Sequence, residues 1–207
     1  LDRDAREGAK YLCSPAPRTK GEQEALWDYV KSGTLGNVTS DHAPYNIGDP
    51  DGKFWAGDNA PFSSIANGVP GLETRMPILF HEGVVKGRID LQEFVAITST
   101  NAAKLFGLHP QKGAIAVGAD ADIVVWDAEK KTTISQDILH HATDYTPYEG
   151  MQVTGWPAAT VARGSVVWKD GEDFCEPGFG KFLAREPYDY IKPTGKFPTP
   201  FNPVAAN

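Results

Sequence analysis

Val38-Thr39-Ser40-Asp41-His42-Ala43-Pro44-Tyr45 runs from an apolar residue to a carboxylate and then meets a proline three residues on. A strand that stops in Asp-His-x-Pro places an acceptor at its end. In a parallel α/β barrel the C-terminal rim is where chemistry is done, so an Asp there reads as a metal ligand, a proton acceptor, or both. The plainer reading is that Asp41 caps the next turn and His42 is an ordinary surface or core histidine. Four residues do not choose between the two.

The flanking sequence supplies the frame. Residues 9 to 14 are short, partly apolar and stopped by Pro15-Ala16-Pro17, which suits a buried barrel strand and a rim loop. Thr19-Lys20-Gly21-Glu22 is a capping-box pattern, with Ala25, Leu26, Tyr29 and Val30 at helical spacing before Gly33. Leu35 to Ser40 then returns as a second strand, and strand, helix, strand implies a parallel sheet. Asp41 is thereby expected at a C-terminal strand end. From Tyr45 to Pro70 the glycines and prolines predict a long irregular loop beside a site, with Phe54, Trp55 and Phe62 as wall or anchor.

Beyond the loop, Leu72, Met76, Leu79 and Phe80 predict an amphipathic helix over 71–85. Asp90-Leu91-Gln92-Glu93 is a second capping box opening a helix through Ile97, and a short helix over 101–106 closes at Gly107. From Lys112 the texture turns to β. Val-rich runs fall at 121–127 and 160–169, with a hairpin turn at Asp170-Gly171 leading into 172–175. The connection between them, 130–157, is expected to be mixed and to hold His140-His141 in a solvated loop. His81 and His109 are expected in surface or packing roles. Glu176 to Asn207, rich in proline and aromatics, cannot make a core of its own and is expected to lie on another surface.

Composition narrows the classes. With 41% hydrophobic and 23% charged residues the chain is globular rather than disordered. A formal net charge of −7 with scattered acidic residues argues against a nucleic-acid partner. No apolar run approaches the roughly 18 residues of a membrane span, and a cytoplasmic location is expected. Cys13 and Cys175 are too few for a disulfide framework or a thiolate zinc site and read as buried small hydrophobes.

Several pieces stand in one order: Tyr11-Leu12-Cys13-Ser14-Pro15, Ser40-Asp41-His42-Ala43-Pro44, Ile65-Ala66-Asn67-Gly68 through Arg75, Lys112-Gly113-Ala114-Ile115, Gly118 through Asp127, Tyr148-Glu149-Gly150-Met151 and Arg163-Gly164-Ser165. Together, over about residues 8 to 190, they resemble the C-terminal half of the cyclic amidohydrolases, and within these dihydropyrimidinase and D-hydantoinase. The resemblance implies the C-terminal part of a (β/α)8 TIM-type barrel over 1–112, part of a small β-sandwich over 113–175, and a tail over 176–207 that contacts a dimer or tetramer partner. It implies two divalent metal ions, zinc being the expected metal. Asp41 would be the last ligand, taking a proton from the attacking water and delivering it to the ring nitrogen. It also implies that backbone groups at Ser14 and Asn67 meet the cyclic amide or ureide substrate.

The family's other ligands, a His-x-His pair, a carboxylated lysine and two single histidines, precede the Asp. None is found here. A complete barrel takes about 250 residues, so the resemblance accounts for two of eight strands. The chain opens at Leu1 in a polar stretch without a methionine, and is expected to be one part of a longer protein whose N-terminal half it needs. Alone it is expected to be inactive, since each zinc takes about four ligands. Allantoinase and dihydroorotase share the Asp-His pattern, but dihydroorotase-like enzymes prefer a second histidine where Tyr45 stands. Dihydropyrimidinase-like assembly scaffolds typically lack the Asp retained here.

Overall fold

Helix starts are where local sequence acts most directly. In the computed structural model, which describes residues 5–59 and 61–185, a short helix α1 (Ala5–Ala9) precedes α2 (Lys20–Lys31). The Thr19 hydroxyl accepts from the Glu22 N–H while the Glu22 carboxylate accepts from the Thr19 N–H, so the expected capping box forms. Asp90 and Glu93 make the same reciprocal pair at α4 (Leu91–Val95). That helix continues through a wider turn at Ala96–Thr100 into α5 (Asn101–Leu105), and Gly107, at φ 68°, ends it. Between α2 and α4, α3 (Arg75–Leu79) likewise widens over Phe80–Val85.

The helix expected from Gly71 begins only at Arg75. The N–H groups of Gly71 and Leu72 are instead held by the His42 ring, at 3.1 and 3.2 Å from Nδ1.

Four antiparallel strands follow in the order β1 (Ile123–Thr133), β2 (Gln152–Ala162), β3 (Ser165–Lys169) and β4 (Glu172–Asp173). The Val-rich run over 160–169 is two strands rather than one. Arg163 and Gly164, at φ 47° and 84°, form a two-residue turn of the kind that joins hairpin strands, and Asp170-Gly171, at 52° and 91°, makes the expected second one. The mixed connection is shorter than expected, because 130–133 and 152–157 pair as strand, Lys131 with Thr154 and Thr133 with Gln152.

Helices and sheet meet through one aromatic cluster. Phe80 lies edge-on to Phe94 with ring centroids 5.4 Å apart, and Trp126 of β1 is 5.1 and 6.0 Å from the two rings. Leu79, Ile89 and Ile97 complete this core. A Cβ on Gly155 would come within 2.2 Å of Phe80, so β2 approaches the helix only because that position is glycine, at φ 98°. A second cluster, Ile134, Val153 and Trp156, packs with Ile78 and Leu139 beneath the connection.

The two expected barrel strands need correction. Neither 9–14 nor 35–40 joins a ladder among the described residues, and α1 takes up Ala9, the first residue of the earlier one. Both are tied by isolated bonds, Gly68 N to Leu12 O and Val38 N to Ile97 O. A parallel strand takes its backbone partners from strands beside it, and the described residues provide none here. Cys13, expected to be buried, is only partly so, and Cys175 is exposed. Most of the expected tail, residues 186–207, lies outside the described residues.

Candidate functional site

Asp41 sits in the left-handed region, at φ 45°, a conformation that Asp tolerates better than most side chains and that is found disproportionately at functional sites. It is exposed, and among the described residues its carboxylate has no hydrogen-bond or ion-pair partner. The backbone below is fixed: the Arg75 guanidinium donates to Val38 O at 2.7 Å, and Asn101 Nδ2 to Gly36 O at 2.8 Å. Because Nδ1 of His42 accepts two N–H groups, its ring proton is on Nε2. The result is a carboxylate left free on a pinned support.

Two further segments line up with it. Ala43 N donates to Val69 O at 3.2 Å, and Gly68 N donates to Leu12 O at 3.0 Å, so 66–72 lies between 12–15 and 41–43. Gly68, at φ 139°, permits this, since a Cβ there would stand 2.5 Å from Ala43 O. Ser14 and Asn67 are both exposed on these flanking loops. Hence the three expected site residues belong to three adjacent loops of one edge.

Behind them lies a residue that the sequence reading passed over. Lys53 is completely buried (0% exposed), and its ammonium donates to Gly68 O at 2.6 Å, Ala66 O at 3.1 Å and Leu12 O at 3.3 Å. Among the described residues no carboxylate pairs with it. Burial pulls its pKa down to about 8, against a small opposing pull from the Cys13 thiol. In a glycine- and proline-rich loop a lysine reads as a solvated charge, and no local pattern marks this one as buried.

The connection over 134–151 also differs from expectation. The Asp144 carboxylate accepts from Ile47 N at 2.8 Å and Gly48 N at 2.7 Å, anchoring the loop that follows Asp41. His140 gives its N–H to the Glu73 carboxylate, and its Nδ1 lies 2.8 Å from that group. His141 is half-buried rather than solvated. Its Nε2 donates to Gln136 Oε1 at 2.8 Å, burial holds its pKa down, and its ring centroid is 6.3 Å from that of His42. His81 takes the packing role expected of it, accepting from Thr154 N at 3.1 Å. Tyr145 is buried, which pushes its phenol well above the usual range.

Among the described residues no group of three or more His, Cys, Asp or Glu is placed to hold a metal ion. Asp41 fits a metal centre as one oxygen ligand, since its carboxylate is free and exposed, but it is not by itself such a centre.

Among the described residues, helices and loops with an exposed carboxylate on one loop edge precede an antiparallel sheet. The amidohydrolase family matches residues 11–167, and the chain belongs to that family. It is 46% identical over 188 residues to a D-hydantoinase of Geobacillus stearothermophilus, covering 91% of this chain and 39% of that one. To a dihydropyrimidinase of Dictyostelium discoideum it is 40% identical, over 89% of this chain and 36% of the relative. The structure superposes on a D-hydantoinase from Bacillus sp. AR9 with a TM-score of 0.85 at 45% identity, covering 91% of this chain and 40% of the other. The chain therefore spans about two-fifths of the length of these relatives.

Proposed function

We propose that the full-length protein is a metal-dependent cyclic amidohydrolase that opens the ring amide of dihydropyrimidines or 5-substituted hydantoins to give N-carbamoyl amino acids. The observation that carries this reading is the free, exposed Asp41 carboxylate in a strained backbone position, within a chain 40–46% identical to hydantoinases and a dihydropyrimidinase. Divalent metal ions, zinc in the first instance, would supply a nucleophile at neutral pH by lowering the pKa of bound water from 15.7 to about 7.

In this reading Asp41 is a ligand to one metal, receives the proton of the attacking water and returns it to the leaving ring nitrogen. Ser14 and Asn67 present backbone groups to the cyclic diamide edge, one N–H and one C=O, and the adjacency of their loops supports that pairing. The division into barrel part (1–112), sandwich part (113–175) and tail (176–207) belongs to the same proposal, as do a homo-oligomer and a cytoplasmic location. The remaining ligands come from the N-terminal part of the full-length protein.

The test is ring opening by the zinc-loaded full-length protein. Dihydrouracil and hydantoin are expected to yield their N-carbamoyl products. Turnover of allantoin or dihydroorotate with neither of these, or no turnover at all, contradicts the proposal.

A further inference from the structure

Lys53 belongs to a loop of the candidate site, yet among the described residues its ammonium bonds to no side chain of Asp41, Ser14 or Asn67. Its three acceptors are backbone carbonyls in two separate loops. Leu12 O lies two residues before Ser14, and Ala66 O and Gly68 O lie on either side of Asn67. A tetrahedral ammonium has three N–H donors, and each is matched here by one carbonyl.

A second bond, Gly68 N to Leu12 O at 3.0 Å, joins the same two loops. Lys53 is itself anchored from its own loop, with Lys53 N donating to Asn46 O at 2.8 Å and Lys53 O accepting from Ala66 N at 3.0 Å. Gly52 is buried in the same place, where a Cβ would stand 2.1 Å from Asn46 O. That no carboxylate pairs with Lys53 among the described residues matters. An ion pair would account for a buried lysine as a charge sink, whereas three carbonyls from two loops make it a spacer between them.

We infer that Lys53 is a positioning residue for substrate: its buried ammonium sets the separation and tilt of the Ser14 and Asn67 loops, so that the backbone groups of both meet one cyclic amide at once. The inference rests on the proposed cyclic-amide function and adds to it the group that holds the substrate edge in shape. Substrate contacts made by backbone cannot be adjusted by rotamers, so their spacing must come from something behind the loops. Metal ligation, by contrast, does not depend on Lys53.

The experiment compares the zinc-loaded full-length protein with its Lys53→Met and Lys53→Gln variants, on dihydrouracil and hydantoin. Losing one of two backbone contacts to substrate corresponds to a KM increase of about tenfold. Lys53→Met is expected to show that increase with zinc content unchanged and kcat affected far less. Lys53→Gln, which keeps two N–H donors on a shorter stem, is expected to fall between it and the wild type. Hydrogen exchange at the Gly68 amide is expected to quicken in the same order.

A purely structural role would lower the active fraction, and with it kcat, while leaving KM in place; that result overturns the inference. So does failure of both variants to accumulate as zinc-loaded protein, which would make Lys53 a folding residue. A wild-type protein that opens neither ring rejects the proposed function instead. An active wild type with unaltered KM in both variants rejects this inference alone.

Discussion

At the scale of single residues, the chemistry of burial decides more than residue type. Lys53 and Asp41 are both charged residues in irregular backbone, and the structure hides the first completely while leaving the second exposed and, among the described residues, without a partner. The buried lysine has a consequence for stability. Its pKa in the fold, about 8, lies below the 10.5 of a free lysine, so the folded state releases its proton first on going alkaline. Between those values the unfolded chain binds more protons, and stability contributed by this group rises with pH. Below pH 8 the burial cost is fully present. Relative to Lys53→Met, the wild-type unfolding free energy is expected to rise with pH across that window. A denaturation series from neutral to alkaline pH in which the difference stays flat contradicts the assignment. Gly68 gives a second prediction: Gly68→Ala forces a Cβ against Ala43 O in a left-handed backbone, and is expected to raise KM by separating the loops of Asn67 and Asp41. An alanine variant with wild-type KM would show that the loops yield freely.

Elements were legible in the sequence in proportion to how local their causes are. The two capping boxes, the stop at Gly107 and the Asp170-Gly171 turn rest on residues within four positions of one another, and each forms. Strands over 9–14 and 35–40 were read from apolar content, but a parallel strand exists only beside its neighbours; no ladder forms there among the described residues, and both segments are partly exposed, Ala9 of α1 being their one buried residue. The connection over 134–151 was unreadable for a related reason: the Asp144 contacts reach 96 and 97 residues back along the chain. Of the site, Asp41 was singled out by its own octapeptide, although the strand expected to end at it does not form among the described residues, while Ser14 and Asn67 came only from the family resemblance and Lys53 from neither. At this scale Gly155→Ala is expected to cost about 3 kcal/mol, because the new methyl meets Phe80 and the backbone is left-handed. Asp90→Ala, which removes one cap, is expected to cost about 1 kcal/mol. Thermal unfolding of the two variants checks the ranking, and a larger loss from the cap than from the glycine contradicts it.

For the whole molecule the unanswered faces are the informative feature. Val124 and Val125 point to opposite faces of β1, yet both are about half exposed, and β1 is an edge of the sheet. Ile115, Phe62 and Leu72 are exposed as well. A flat apolar edge pairs with whatever strand it meets. The 207-residue polypeptide by itself is therefore expected to self-associate at micromolar concentration, seen by sedimentation, and to leave hydantoin intact; a monodisperse, active monomer contradicts both.

Under the proposed function, Asp41 carries metal and proton in a site completed by the rest of the full-length protein. Asp41→Asn tests it most directly, because asparagine keeps the shape and accepts the left-handed backbone while removing the charge. In the zinc-loaded full-length protein, kcat on dihydrouracil and hydantoin is expected to fall by several orders of magnitude with the fold intact. A near-normal kcat in that variant would contradict the claim outright.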